Sequence, residues 1–243
     1  MVTSYPHRLL SYLADLVFPY RCLACSAHLD KRYICGDCSA KMPIRMRLEC
    51  IGCRKTIPGG ITCEHCRAHY DVDRIFVVSE YNDPVVAAAI KALKYKFLSE
   101  MAQPLVQLAV TYIQNQSALH HIAFVGENFT VVSVPLHRRR ENWRGFNQAA
   151  LIARGLADRY RLEYKDCLVR TTHLTPQANI EDRNQRFENI KNAFSCPLPE
   201  GIKDKNILLV DDVCTTGGTL NECAWILKKD GAASVSALVI ARG

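Results

Sequence analysis

The chain has 243 residues, of which 49% are hydrophobic and 23% charged. Those proportions belong to a folded protein and exclude disordered and fibrous classes. Lys and Arg number 31 against 24 Asp and Glu, a formal charge of +7, and no apolar stretch approaches the roughly 18–20 residues that cross a bilayer.

The opening segment is apolar but broken by Asp15, its early charge is Arg8, and no small-residue cleavage site follows. It does not match a signal peptide, and the expected compartment is the cytoplasm. Next comes a run of cysteines. Of 12 in the chain, eight form the Cys-x-x-Cys pairs Cys22/Cys25, Cys35/Cys38, Cys50/Cys53 and Cys63/Cys66. Two intervening residues let a tight turn aim both thiolates at one tetrahedral metal. The first four cysteines and the last four have identical spacing, offset by 28 residues at every position. Two structural zinc ions are the expectation. A disulfide framework is disfavoured without an export signal, and an iron–sulfur cluster is the lesser alternative. If each unit is self-contained, Cys22, Cys25, Cys35 and Cys38 hold one ion, and Cys50, Cys53, Cys63 and Cys66 the other. The alternative is a cross-braced arrangement in which alternate pairs share a metal. His65 and His69 lie close enough to substitute as ligands but read as surface histidines.

Each zinc bound by four thiolates carries −2, which lowers the formal balance from +7 to about +3. Global charge therefore says little about nucleic acid. Local charge says more: His137 precedes Arg138, Arg139 and Arg140, and Arg144 follows, a cluster able to handle phosphate or simply to face solvent.

Residues 1–70 read as an N-terminal helix and a double zinc-binding module, and residues 71–243 as a separate α/β domain. In the latter, 73–81 is a strand dense in β-branched and aromatic residues. Asn82-Asp83-Pro84 opens a helix with a capping carboxylate and a proline at its first position. Val86, Ala89, Ile90 and Leu93 are its apolar stripe. A second helix is expected near 99–115, a short strand over Thr130–Val134, and a helix from about Asn147 to Tyr160. Cys167-Leu168-Val169 reads as a strand, and Thr171 to Asn192 has no strong pattern. A strand over Ile207–Val210, a helix striped by Leu220, Cys223, Ala224 and Leu227, a stop at Gly231 and a strand over Val235–Ala241 complete the chain. This alternation of helices with continuous apolar strands predicts a mostly parallel sheet flanked by helices.

The segment Ile207-Leu208-Leu209-Val210-Asp211-Asp212-Val213-Cys214-Thr215-Thr216-Gly217-Gly218-Thr219 carries the chemistry. A buried strand delivers two acids to its carboxyl end, where open α/β sheets bind ligands. A turn rich in glycine and threonine then enters a helix, a phosphate cradle by its N–H groups and hydroxyls. No Lys follows the glycines, so it is not a Walker loop. Two carboxylates before such a cradle suit a ribose whose hydroxyls they accept and whose 5′-phosphate lies in the loop. An acidic turn that merely ends a core strand is the plainer alternative.

This stretch resembles the signature by which type I phosphoribosyltransferases bind phosphoribosyl pyrophosphate. With the cysteine module, the chain resembles the ComF family, bacterial proteins of DNA uptake in natural competence. Further matches are Leu93-Lys94-Tyr95, Val134-Pro135-Leu136-His137, Arg144-Gly145-Phe146-Asn147-Gln148, Arg170-Thr171, Gln177, Arg183 and Asn192-Ala193-Phe194. One departure is Lys96-Phe97-Leu98, where family members often have a glycine. The resemblance implies a fold of the type I phosphoribosyltransferase kind and Mg²⁺ bound with phosphoribosyl pyrophosphate or a related ribose 5-phosphate compound. It gives Asp211 and Asp212 the catalytic place and Thr215, Thr216, Gly217, Gly218 and Thr219 the phosphate. Lys94, Pro135, Leu136, His137, Arg138 and Arg144 fall to pyrophosphate. The stretch 171–192, with Gln177, Arg183 and Arg186, is either a closing loop or an ordinary solvated one.

The acceptor is not specified. Purine-salvage relatives often carry a third acid where this chain has Thr215, so no carboxylate is offered for acid–base work on a base. Phe146 and Trp143 could stack on a base, although aromatics beside a helix start are more often core. Cys214 has no base beside it for a nucleophilic role. Two readings follow. The chain is a phosphoribosyltransferase, for an unidentified acceptor or a salvaged base. Otherwise it is a non-catalytic protein that senses a nucleotide or grips single-stranded DNA, its zinc module docking DNA-processing proteins.

Overall fold

The computed structural model describes residues 20–30, 33–120, 129–171 and 193–243; the opening helix expected before Tyr20 and the stretch with Gln177, Arg183 and Arg186 lie outside them. Strands β1 (Arg74–Glu80), β2 (Phe129–Ser133), β3 (Glu163–Lys165), β6 (Asn206–Cys214) and β7 (Ser234–Arg242) form one sheet. Their order is β1-β7-β6-β2-β3, and every pairing is parallel. β4 (Val169–Arg170) and β5 (Phe194–Ser195) make a separate antiparallel pair.

Both faces of the sheet are covered, which is why β1, β2, β7 and the first half of β6 are largely apolar without alternation. Phe76, Val78, Val131, Leu208, Val210 and Leu238 meet α3 (Pro84–Tyr95), α4 (Ala102–His120) and α6 (Gln148–Tyr160) on one face. Ile75, Val77, Val132, Leu209, Ala237 and Val239 meet α7 (Gly218–Lys229) on the other. The cap expected of Asp83 is made: its Oδ1 accepts from the N–H groups of Val85 and Val86, with Pro84 at the first helical position. α4 is longer than its pattern predicts, running to His120 after a turn of 3₁₀ helix over Ser99–Met101. α5 (Arg138–Arg144) was not foreseen; His137 caps it, Nδ1 accepting from the Arg139 N–H at 3.2 Å.

The cysteine-rich segment adds two short helices, α1 (Gly36–Ala40) and α2 (Glu64–Arg67). It covers the otherwise open edge of β1, which would expose unpaired N–H and C=O groups. The Arg45 N–H donates to the Val78 carbonyl at 2.8 Å, the Thr62 N–H to Asp73 at 2.8 Å, and Glu49 and Ile61 bridge to Ile75 and Arg74. A buried ionic network completes the junction. Glu49 takes Arg45 Nη2 at 2.8 Å on one oxygen and Arg242 Nη1 at 2.7 Å on the other, and Arg242 Nη2 donates to the Ile51 carbonyl at 2.6 Å.

Candidate functional site

The eight cysteines gather in sequential quartets: Cys22, Cys25, Cys35 and Cys38, then Cys50, Cys53, Cys63 and Cys66, the ligand atoms within 4.8 Å of one another in each. The cross-braced alternative is thereby set aside. Zinc bonded to thiolate at about 2.3 Å requires sulfur–sulfur edges of about 3.8 Å in a tetrahedron. The observed Cys25–Cys35, Cys50–Cys63 and Cys53–Cys63 separations are 3.8, 3.7 and 3.8 Å. Backbone N–H groups of Cys35 and Cys63 point at Cys22 Sγ and Cys50 Sγ, each at 3.4 Å, as thiolate charge requires. The donor set fits a structural zinc in each unit. His65 and His69 are exposed and belong to neither quartet.

The acids sit differently from the expectation that the strand ends at Val210. β6 continues through both, because β7 keeps pairing with it: Asp211 is opposite Val239, Val213 opposite Ala241 and Cys214 opposite Arg242. A ladder supplied by a neighbour holds polar residues in a strand that their own propensities would end. Asp212 is buried, and its Oδ1 meets Lys94 Nζ at 2.9 Å, delivered by the last turn of α3. Its Oδ2 is buried with no hydrogen-bond partner among the described residues, an acceptor left without a donor. Burial depresses the Lys94 ammonium most strongly, but the charge and hydrogen bond of Asp212 and the charge of Asp211 together outweigh it and raise its pKa. Asp211 Oδ1 accepts the Asp212 N–H at 2.8 Å. Burial, reinforced by the Asp212 charge, holds the Asp211 carboxyl well above the usual carboxylate range. Asp211 acts electrostatically both on Cys223 of α7 and, together with Asp212, on Lys94.

After Cys214, the residues Thr215 to Gly217 lead into α7. Gly217 has φ +88° and occupies the cap position, where no side chain caps the helix. A side chain there would be strained, and its Cβ would stand 3.0 Å from Ile51 Cγ1. Cys214 is buried, which pushes its thiol up to about 11, so it offers no thiolate nucleophile at neutral pH.

Beside the acids, Val134 donates to the Val210 carbonyl at 2.9 Å, and Asn147 Nδ2 to the Val134 carbonyl at 3.0 Å. This anchors the turn of Pro135, Leu136 and His137 at the same end of the sheet. The arginine cluster divides. Arg138, Arg139 and Arg140 are exposed on the first turn of α5, whereas Arg144 is buried and bonded to Gln148 Oε1. Burial lowers the Arg144 pKa, and the Asp212 charge opposes that shift. Lys94, Arg144, Asp211 and Asp212 thus form one electrostatic cluster. Pro135, Leu136 and Arg138 also line a cleft of about 310 Å³ with Phe146, Arg154 and Arg170.

Sequence reasoning offered Trp143 for stacking or for the core and missed its pairing with Phe97. Trp143 is not core but 65% exposed, and Phe97 packs edge-on against it at 4.8 Å and 77°. Tyr95 is 62% exposed nearby in the chain. Phe97 holds φ +57°, a left-handed conformation at the turn where family members often have glycine; that departure was the available signal. Phe146, in contrast, is partly buried against the core beneath α3, α4 and α6.

Residues 145–243 match the model of the phosphoribosyl transferase domain, and residues 13–67 that of the double zinc ribbon domain. DNA utilization protein YhgH of Escherichia coli (strain K12) is 33% identical over 171 residues, 70% of this chain and 72% of the relative. Competence protein F of Haemophilus influenzae is 26% identical over 212 residues, covering 79% and 90%. Competence protein ComFC of Bacillus subtilis is 33% identical over 121 residues, covering 48% and 45%.

Proposed function

The chain belongs to the ComF family of competence and DNA-utilization proteins, and from that premise we propose that it binds phosphoribosyl pyrophosphate, or a related ribose 5-phosphate compound, between Asp211 and Thr219. The observation that carries this reading is the buried Asp212 Oδ2 with no donor among the described residues, beside Lys94 and one strand end away from a glycine cradle. A ribose hydroxyl supplies the donor that oxygen lacks. Asp211 and Asp212 accept the 2′- and 3′-hydroxyls, and N–H groups of Thr216 to Thr219 receive the 5′-phosphate. Lys94, His137, Arg138 and Arg144 face the pyrophosphate with the turn of Pro135 and Leu136. Mg²⁺, held largely by the ligand's own phosphates and water, would neutralise pyrophosphate. Displacement of pyrophosphate from C1 builds positive charge on the ribose, and carboxylates fixed beneath it stabilise that charge.

In the cell the proposed role is the handling of DNA during uptake, in the cytoplasm. Competence protein F and DNA utilization protein YhgH support it through their names. A second reading, a grip on single-stranded DNA, is favoured by a specific observation: the exposed Phe97–Trp143 pair stands with Arg138, Arg139 and Arg140 on or beside α5. Exposed rings for stacking and arginines for backbone phosphate are the chemistry of unpaired strands. The deciding experiment incubates purified protein with phosphoribosyl pyrophosphate, Mg²⁺ and a panel of bases. Pyrophosphate release that depends on an added base would establish a transferase; binding without release would favour a non-catalytic role, and no binding would end the ligand reading and leave the single-strand reading to its own test.

A further inference from the structure

The second zinc unit reaches the phosphate loop from behind. Arg54 follows the ligand Cys53 directly and holds φ +60°. Its Nη2 donates to the Thr215 carbonyl at 2.9 Å and to the Gly243 carbonyl at 3.0 Å. Tyr70 Oη donates to the Thr216 carbonyl at 3.2 Å. Ile51 closes against Gly217. On the first turn of α7, Asn221 accepts from the Asp71 N–H at 2.6 Å and donates to the His69 carbonyl at 3.2 Å. The first unit has a different seat: Ile34 and Met42 belong to the core under α3 and α4.

These bonds bear on the loop's function through peptide geometry. In a trans peptide the C=O and the following N–H point to opposite sides. Drawing the carbonyls of Thr215 and Thr216 toward the zinc unit therefore turns the N–H groups of Thr216 and Gly217 away from it, into the cradle. Donors already oriented need no reorganisation when an anion arrives. We propose that Arg54 and Tyr70 are positioning residues for phosphate, so that the second zinc unit sets the affinity of the loop while the first supports the core. The proposal rests on the ligand reading above and adds that the zinc module takes part in it.

The test uses the full-length, zinc-loaded protein, titrated calorimetrically with phosphoribosyl pyrophosphate and Mg²⁺, with zinc content and thermal midpoint measured on each variant. Arg54→Met should weaken binding about tenfold with zinc still at two per chain and the midpoint within about 2 °C. Arg54→Lys should recover part of that, since an ammonium can still donate to one carbonyl. Tyr70→Phe should weaken binding about threefold, and Lys55→Met, which removes a neighbouring exposed charge, should not matter. Should Arg54→Met shed zinc, Tyr70→Phe decides, because it loses only a hydroxyl. A wild type that binds, with Arg54→Met and Tyr70→Phe binding within twofold of it, overturns the positioning role alone. A wild type that does not bind overturns the ligand reading and this proposal with it.

Discussion

Replacing Glu49 by Gln tests the joint between the zinc module and the sheet. The carboxylate is 1% exposed and accepts two charge-assisted bonds, from Arg45 at 2.8 Å and Arg242 at 2.7 Å. Such bonds contribute about 1.5–3 kcal/mol each, and removing one partner of a buried ionic set costs about 3–5 kcal/mol because a charge is left unpaired. Gln keeps the volume and one acceptor oxygen, so the lower figure applies: about 3 kcal/mol. For a chain of this size, that corresponds to a fall of roughly 6–12 °C in the thermal midpoint. Urea unfolding at saturating zinc would measure it. The double variant Glu49→Gln/Arg45→Met should lose at least about 1 kcal/mol less than the sum of the single losses, since both act in one network. A loss below about 1 kcal/mol for Glu49→Gln would refute the reasoning, as it would mean water reaches the network.

Elemental analysis should find two zinc ions per chain, and Cys53→Ser should lower that to about one; a wild type with a single ion would contradict the quartets. Ligand affinity should depend on pH through Asp211. Its carboxyl titrates above the ordinary value near 4, so the free protein keeps a proton there that the unfolded chain has lost. Stability of the free protein should therefore fall as pH rises from the unfolded value through the folded one. Ribose hydroxyls favour the ionised form, so affinity should rise over the same window with proton release, measurable by calorimetry in buffers of different ionisation heat; pH-independent binding would count against it. For the single-strand reading, Trp143→Ala should cost about 1–3 kcal/mol in oligothymidylate affinity. Arg139→Gln should reduce the salt slope by about one.

Features with local causes were legible in the sequence. The 28-residue repeat predicts sequential quartets, and the Asp83-Pro84 start predicts α3 because capping is a matter of adjacent residues. The strands around Ile207–Val210 and Val235–Ala241 announce themselves by apolar runs, the second interrupted only by Ser236. Features imposed by partners were not. β6 runs through Asp211 and Asp212 because β7 pairs with them, and the polar edge strand β3 exists through its register with β2. α5 has no apolar stripe to reveal it, with charged residues around a lone Trp143. Within the candidate site, the motif shows the two acids and the glycines. The Lys94–Asp212 pair and the Arg54–Thr215 bond join residues far apart in the chain, and spacing carries no record of them.

The central claim is tested most directly by titrating phosphoribosyl pyrophosphate with Mg²⁺ into the wild type and into Asp211→Asn/Asp212→Asn. Asn is isosteric with Asp, and a neutral amide accepts a ribose hydroxyl about half as strongly as a carboxylate. The account predicts measurable binding by the wild type and an affinity at least about tenfold lower in the double variant, with cooperative unfolding retained. Equal affinity in the two proteins would contradict it.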